Sequence, residues 1–350
     1  MFNFSKMFKK FNNFSSVDIG IDLGTANVFI YVKGKGIVLK EPSVVAIEQG
    51  TKKVLAVGEE AHRMLGRTPA NIVAIRPLKE GIIADYTTTE RMLNYFIKKV
   101  TGSGFFSKPR AMICIPAGIT SVEKRAVFEA GMEAGVKDVY LIEEPLAAAL
   151  GAGLEIANPC GNMILDIGGG TSDAAVLSLG GIVVNQTLRV GGDKFDEAIV
   201  KYVKREYNLI IGEQTAELIK ISVGSVCPFN SKNEKVQVRG RDIVSGLPKM
   251  FYIDSLQVKK AVSECAFLIV SCVKQVLEQN PPELTSDIID KGVVLTGGGS
   301  LIHGLDALLN KETGVPVCHA DDPLSCVALG TGKALESLEF LKSHVVQFKR

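Results

Sequence analysis

Two short segments of the chain combine aspartate, glycine and threonine in the same order. Residues 17–32 read VDIGIDLGTANVFIYV, and residues 162–179 read NMILDIGGGTSDAAVLSL. Each is an apolar strand ending near an aspartate, a glycine turn with a threonine, and a second apolar strand. Glycine lets a turn approach a phosphate closely and direct its N–H groups at the oxygens. The hydroxyls of Thr25 and Thr171 add hydrogen bonds, so the pattern predicts two phosphate-binding hairpins.

The aspartates of the two hairpins, Asp22 and Asp166, are 144 residues apart. This half-chain spacing indicates two similar halves that face each other. Magnesium keeps most of its water ligands and takes few protein carboxylates. We therefore expect Asp22 and Asp166 to hold Mg²⁺ between the loops, largely through water. A single such hairpin is most often only a turn, but a matched pair favours a functional site.

A third glycine turn lies in GVVLTGGGSLIHGLDALL, where a buried strand precedes Gly297, Gly298, Gly299 and Ser300 and a helix is predicted to follow. The N-terminus of a helix attracts anions through its dipole and free N–H groups. A tight connection in an α/β sheet is the alternative, but a third turn of this kind favours a nucleotide. LGTGKA is not a P-loop, because Ala334 stands where Ser or Thr is required. A Rossmann fingerprint is also missing.

Composition narrows the classes of function. With 350 residues and 46% apolar content, the chain has the length of about two domains. The 40 basic and 38 acidic residues nearly balance, so no nucleic-acid partner is expected. The seven cysteines form no CxxC pair, which argues against zinc and favours reduced thiols. No apolar stretch approaches the length of a membrane span.

The first fourteen residues, MFNFSKMFKKFNNF, predict a basic amphipathic helix with an aromatic face. Such a helix is typical of a segment lying in a lipid interface. A helix docked on its own core and a disordered leader are the alternatives. A second candidate lies in the basic loop TGSGFFSKPR, although paired phenylalanines are often inward anchors. The predicted membrane residues are Phe2, Phe4, Met7, Phe8, Phe11, Phe105 and Phe106.

The three glycine turns resemble, in order, the phosphate-1, phosphate-2 and adenosine motifs of the actin/Hsp70/sugar-kinase superfamily. The segments between them are similar to the MreB family of bacterial actins, including YVKGKGIVLKEPSVVAI, MLGRTPANIVAIRPLKEGIIADY, LIEEPLAAALGAGL and RVGGDKFDEAI. The resemblance runs from about residue 17 to about residue 335. One departure is Thr171-Ser172-Asp173, where the family pattern leads us to expect Thr-Thr-Glu. We expect nucleotide binding to survive this change and leave the hydrolysis rate open.

The resemblance implies an α/β, actin-like fold of the duplicated ribonuclease H-like type. Two lobes, each with a core and a smaller outer subdomain, would close on a nucleotide in the central cleft. The expected divisions are a membrane segment at 1–16, lobe I at 17–150 with a subdomain near 34–80, lobe II at 151–325 with a subdomain near 190–255, and a C-terminal segment at 326–350 that returns to lobe I.

The resemblance also implies roles for individual residues. Glu144, before Pro145 at a strand-to-helix junction, would orient the water that attacks ATP, with Thr171 opposite it. The helix N-terminus alone would also favour a carboxylate there. Glu217 and Lys220, by residue type an ordinary i,i+3 ion pair, would lie near the adenosine. The residues expected to contact nucleotide are Gly24, Thr25, Ala26, Asn27, Gly168, Gly169, Gly170, Thr171, Gly192, Asp193, Glu217, Lys220, Gly297, Gly298, Gly299 and Ser300.

The function expected from the resemblance is a slow ATPase that binds ATP or ADP with Mg²⁺ and polymerises into filaments that govern cell shape. Its partners would be further copies of itself in paired protofilaments, an anionic membrane surface, and other MreB-like or membrane morphogenesis proteins. It would be cytoplasmic and peripheral on the inner face of the cell membrane. An Hsp70-like chaperone ATPase and a small-molecule kinase of the same fold are the alternatives. No peptide-binding module and no acceptor-binding polar cluster is evident for either.

Overall fold

The computed structural model of the chain describes residues 17–102, 108–227, 235–339, 341 and 344–348. Within these ranges no helix is both long and apolar enough to cross a membrane. All of the residues predicted to contact membrane lie outside the described part of the chain, namely Phe2, Phe4, Met7, Phe8, Phe11, Phe105 and Phe106.

The first large sheet is built from five strands. They are β1 (Asp18–Leu23), β2 (Asn27–Val32), β3 (Gly36–Pro42), β9 (Arg110–Ile115) and β10 (Asp138–Glu143), arranged in the order β10-β9-β1-β2-β3. β1, β9 and β10 are parallel, whereas β2 is antiparallel to both β1 and β3. The central strands are almost wholly buried, which fits their continuous apolar sequences.

The second large sheet repeats this topology. Its strands are β11 (Asn162–Ile167), β12 (Ser172–Ser178), β13 (Gly181–Leu188), β17 (Val293–Thr296) and β18 (Val317–His319), in the order β13-β12-β11-β17-β18. β11, β17 and β18 are parallel, and β12 is antiparallel to β11 and β13. β1 and β11 therefore occupy equivalent central positions. The duplication predicted from the two hairpins is present in the fold.

Smaller sheets are inserted after each hairpin. In the first half, β4 (Val45–Glu48), β5 (Val54–Val57) and β6 (Ile72–Ile75) form one sheet, and β7 (Leu78–Lys79) pairs with β8 (Ile82–Ile83). In the second half, β14 (Leu209–Ile210), β15 (Lys235–Asp242) and β16 (Pro248–Asp254) form another. The insertions extend the two halves on either side of the same cleft.

Helices cover the sheets and form two main apolar cores. One core joins the first sheet to two helices, and the other joins the second sheet to five helices and the β15–β16 hairpin. The helices are α1 (Glu59–Met64), α2 (Tyr86–Thr101), α3 (Ser121–Glu133), α4 (Glu144–Ala152), α5 (Gly192–Tyr207), α6 (Glu213–Val223), α7 (Ser255–Gln279), α8 (Pro282–Lys291), α9 (Leu305–Thr313) and α10 (Cys326–Glu336).

The helices α4 and α10 pack together between the two large sheets. Their buried residues form a third core, which joins Ile142 of the first sheet to Ile164 of the second. A side chain at Gly330 would collide with the backbone of Ala147, so glycine permits the close approach of the helices. Gly330 of LGTGKA therefore serves helix packing, and Gly332 lies against Tyr31 of β2, in agreement with the rejection of a P-loop. Val346 also pairs with Leu141 and so returns the chain to the first sheet.

Candidate nucleotide-binding site

A cavity of about 550 Å³ lies between the two halves of the molecule. This volume is within the usual range for small-ligand sites. Asp22, Glu144 and Asp166 line it. So do fifteen of the sixteen residues predicted to contact nucleotide, namely Gly24, Thr25, Ala26, Asn27, Gly168, Gly169, Gly170, Thr171, Gly192, Asp193, Glu217, Lys220, Gly297, Gly298 and Gly299.

The two glycine hairpins face each other across this cavity in close contact. The hydroxyl of Thr25 accepts a hydrogen bond from the amide of Gly81 at 3.0 Å. A Cβ added at Gly170 would collide with the Thr25 hydroxyl and lie 2.9 Å from the amide nitrogen of Gly81. Because such distances leave no room for a side chain, glycine is required where the loops meet. The halves are thus held at a separation that brings both turns to one ligand.

Three carboxyl groups gather at the floor of the cavity. Asp22 accepts a hydrogen bond from the Cys114 thiol at 3.3 Å, and Asp166 accepts one from the Thr296 hydroxyl at 2.7 Å. Burial raises the pKa of Asp22 to about 6 and that of Asp166 to about 7. Burial, followed by the charges of neighbouring aspartates, raises the pKa of Glu144 well above its usual range. Burial disfavours the charged forms of these carboxyls, so a bound cation would stabilise their ionisation.

The two aspartates fit a hydrated Mg²⁺ ion. Among the described residues, no lysine or arginine contributes to the pKa of Asp22, Glu144 or Asp166, so no basic side chain compensates their charge. Nor do the described residues contain a group of three or more His, Cys, Asp or Glu able to cage a metal. Magnesium is commonly bound by one or two carboxylates, several waters and substrate phosphates. This donor set matches that pattern.

Glu144 is the first residue of α4 and is almost fully buried. The helix runs from Glu144 to Ala152, so Pro145 is its second residue. Pro145 lacks an N–H, which is tolerated in the first turn because those groups have no intrahelical partner. The strand β10 delivers the Glu144 carboxyl directly to the cavity that Thr171 also lines. The two predicted hydrolytic residues are brought to the same site.

The unusual Ser172 and Asp173 lie behind the cavity and do not line it. Ser172 donates its hydroxyl proton to the carbonyl of Val190 at 2.6 Å. Asp173 Oδ1 accepts hydrogen bonds from the Thr187 hydroxyl at 2.5 Å and from the Ala117 amide at 3.3 Å. These bonds tie the second hairpin to the end of β9 in the opposite half. The departure from the expected motif thus falls in an interior network.

The third glycine turn differs from its prediction. Gly298–Leu301 form one short 3-10 turn, and the α-helix begins only at Leu305. Gly297 directly follows β17 and has φ 79°, a backbone conformation that glycine adopts readily. Ser300 is fully buried and donates its hydroxyl to the carbonyl of Gly297 at 2.7 Å, so it does not line the cavity. The predicted helix does follow the turn, but its N-terminus lies at Leu305 and not at the glycines.

Lys220 is held by a residue that the sequence did not single out. Its Nζ lies 2.7 Å from Asp196 Oδ2 and donates to the carbonyl of Gly192 at 3.0 Å. Lys220 therefore pairs with α5 and not with Glu217 on its own helix. The i,i+3 pair that residue type alone suggested is not formed. The only sequence signal was the position of Asp196 as the second of three acidic residues in the run GGDKFDE.

Contacts also cross the cleft above the cavity, at the start of α6. Gln214 donates to the carbonyl of His62 at 2.7 Å and accepts from Arg67 at 3.3 Å. Glu213 lies 3.8 Å from Arg76, which also lines the cavity. Sequence reasoning missed these residues, because each partner comes from a different half of the chain. They bridge the small insertions of the two halves.

Two sheets of identical topology, each presenting a glycine hairpin to a shared cavity, define an actin-like protein. The solved structure of MreB5 of Spiroplasma citri bound to AMPPNP is similar, with a TM-score of 0.88 and 37% identity over 94% of this chain and 98% of that one. The MamK double helical filament, at 22% identity and a TM-score of 0.79, supports the fold alone.

Sequence relatives narrow the class further. The chain is 58% identical over 324 residues to the cell shape-determining protein Mbl of Bacillus subtilis, covering 93% of this chain and 97% of that protein. It is 54% identical to the cell shape-determining protein MreB of Escherichia coli, covering 95% and 97%. The MreB/Mbl protein family matches residues 16–343. The chain belongs to the MreB/Mbl family, which favours neither the chaperone nor the kinase alternative.

Proposed function

We propose that this chain binds ATP or ADP with Mg²⁺ in the central cleft, hydrolyses ATP slowly, and polymerises into membrane-associated filaments that govern cell shape. The observation that carries the proposal is the pair of glycine hairpins meeting across one cavity. The relatives Mbl and MreB are cell shape-determining proteins, and MreB5 has been solved bound to AMPPNP and to ADP. We propose the same properties for this chain.

Different walls of the cavity would contact different parts of the nucleotide. The amides of the turns at 24–27 and 168–171 would hold the phosphates, as glycine-rich turns do. Gly192, Asp193, Glu217 and Lys220 line one side, and the turn at 297–299 lines another. These would surround the adenosine. Ser300, which is turned into the interior, would support the loop without touching the ligand.

Hydrolysis would use Glu144 and Thr171. Phosphoryl transfer depends mainly on positioning and on stabilising charge. Glu144 lies at the cavity floor with its pKa raised, so its carboxyl can orient a water and receive its proton. Thr171 supplies a hydroxyl from the opposite hairpin. Bound Mg²⁺, held through water by Asp22 and Asp166, would neutralise phosphate charge.

Filament formation and membrane association complete the proposal. Family membership supports self-assembly, with paired protofilaments as the expected arrangement and other MreB-like or morphogenesis proteins as further partners. The basic, aromatic pattern of the first fourteen residues supports peripheral attachment to the inner face of the cell membrane. Phe105 and Phe106 would add a second apolar contact.

The test combines sedimentation with lipid binding. The full chain is centrifuged with ATP and Mg²⁺, with ADP, and without nucleotide, and separately with anionic and neutral vesicles. We expect ATP-dependent pelleting and binding to the anionic vesicles. Failure of both over a wide range of protein concentration would reject the proposal. A chain lacking residues 1–14 should lose lipid binding while it retains nucleotide binding.

A further inference from the structure

A second concave region, remote from the nucleotide cavity, lies on the first half of the molecule. This basic groove, of about 930 Å³, runs between the start of β5 and the outer face of α2. It shares no lining residue with the nucleotide cavity. The residues on which its chemistry depends are Lys53, Glu90, Arg91, Tyr95, Lys98 and Lys99.

The charges of the basic groove are strongly unbalanced. Four cationic side chains line it against one carboxylate, that of Glu90. Within the described residues, neither Lys53 nor Lys98 forms an ion pair, whereas Lys99 lies 2.6 Å from Glu41. Clustered like charges with so little compensation raise the local positive potential. The groove is therefore suited to an anionic ligand.

Parts of the groove are held in place before any ligand arrives. Arg91 donates a hydrogen bond to the carbonyl of Lys52, on the turn that precedes β5. Lys99 lies over the ring of Tyr95, 6.0 Å from its centroid, as well as beside Glu41. These contacts fix two cations on the walls. Lys53 and Lys98 are exposed, and both line the groove.

Helix capping does not explain this arrangement. Lysines in the last turn of a helix are common because they interact with its negative end, and this accounts for Lys98 and Lys99. It does not account for Arg91, two turns earlier, or for Lys53, which comes from a different element. Two separate segments converge on one groove with the same charge. Convergence of that kind indicates a shared ligand.

We propose that the basic groove binds the headgroup phosphate of an anionic phospholipid, so that this face of the first half lies against the membrane. The groove suits a surface ligand, because it is open to solvent and carries Tyr95 with 45% of its surface exposed. Tyrosine is favoured at the level of lipid headgroups. Gly102, at the groove's end, directly precedes the segment with Phe105 and Phe106. The inference rests on the membrane association proposed above.

The test measures binding of the full chain to vesicles of phosphatidylcholine with and without phosphatidylglycerol, with no nucleotide added. Each lysine near an anionic surface contributes about fivefold to binding, so Lys53→Gln with Lys98→Gln should weaken binding about 25-fold. Lys201→Gln with Lys204→Gln, which removes the same charge from exposed positions on α5, is the matched control and should change binding less than about threefold. Glu90→Gln removes the opposing carboxylate and should strengthen binding.

The outcomes separate this inference from the membrane proposal itself. If the unmodified chain does not bind the anionic vesicles, both are overturned. If it binds and the groove variant weakens no more than the control, only the groove is overturned. Equal losses on vesicles with and without phosphatidylglycerol would also overturn it, as would weaker binding by Glu90→Gln. ATP affinity should be unchanged in every variant, which confirms that the cleft remains folded.

Discussion

Replacing Lys220 can separate its contribution to the stability of the fold from its contribution to nucleotide binding. The side chains of Lys220 and Asp196 are only 17% and 13% exposed, and their charged atoms lie 2.7 Å apart. Asp196 Oδ1 is buried and has no hydrogen-bond partner among the described residues. Lys220→Met would therefore leave both carboxylate oxygens without a donor. Removing one partner of a buried pair destabilises a protein by about 3 to 5 kcal/mol.

The destabilisation by Lys220→Met should depend on pH in a defined direction. Burial raises the pKa of Asp196 to about 7, and Lys220 is the largest influence that lowers it. Without Lys220 the folded-state pKa rises further above its unfolded value. The folded variant then binds a proton that the unfolded chain releases, so its stability falls as pH rises through the folded pKa. The loss should be largest above pH 8 and small near pH 5.

The assay is urea unfolding of five proteins at both pH values. They are the unmodified chain, Lys220→Met, Asp196→Asn, and the double variant, with Lys201→Met as an exposed control. Because the double variant has no unpaired charge, it should recover at least about 2 kcal/mol of the loss, within the usual range for coupled neighbours. ATP affinity should fall in Lys220→Met and should not recover in the double variant. A pH-independent loss no larger than that of the control would refute the reasoning.

Three further changes test other parts of the site. Glu144→Gln should reduce phosphate release by about 100-fold or more while equilibrium ATP binding is kept, and an unchanged rate would remove the residue from the mechanism. Gly170→Ala should weaken ATP binding in calorimetry by at least about tenfold, because its methyl collides with Thr25 and keeps the halves apart. Gln214→Ala should speed release of a fluorescent ATP analogue severalfold through loss of its cross-cleft bonds to His62 and Arg67. Equal release rates for Gln214→Ala and the unmodified chain would show that these bonds do not limit opening of the cleft.

The hairpins were predictable because their information is local. Asp22 and Thr25 are three residues apart. An apolar strand lies on each side of them and a glycine lies between them, a pattern that is typical of a turn between two strands. The repeated pattern also predicted the duplicated sheet topology, since equivalent strands carry equivalent loops. The three glycine turns account for eleven of the fifteen predicted contact residues that line the cavity, and the family resemblance accounts for the other four, Gly192, Asp193, Glu217 and Lys220.

The missed features depend on distant partners or on small differences in backbone energy. Asp196 meets Lys220 across 24 residues, and Gln214 meets His62 across 152. No periodicity reports such pairs. The turn after β17 became a 3-10 helix because glycines are poor helix formers, and Gly304 in the left-handed conformation starts the true helix. The sequence pattern of a strand, a glycine run and a helix is compatible with an α-helix that begins at the glycines and with one that begins several residues later.

The central claim is that one nucleotide lies between the two glycine hairpins in a polymerising, membrane-bound molecule. Electron cryomicroscopy of the full chain with ATP and Mg²⁺ on an anionic lipid monolayer tests it most directly. The account predicts filaments on the lipid, with nucleotide density between the turns at 24–27 and 168–171 and with Glu144 facing the terminal phosphate. Filaments whose density lies elsewhere, or an empty cleft at saturating ATP, would contradict it.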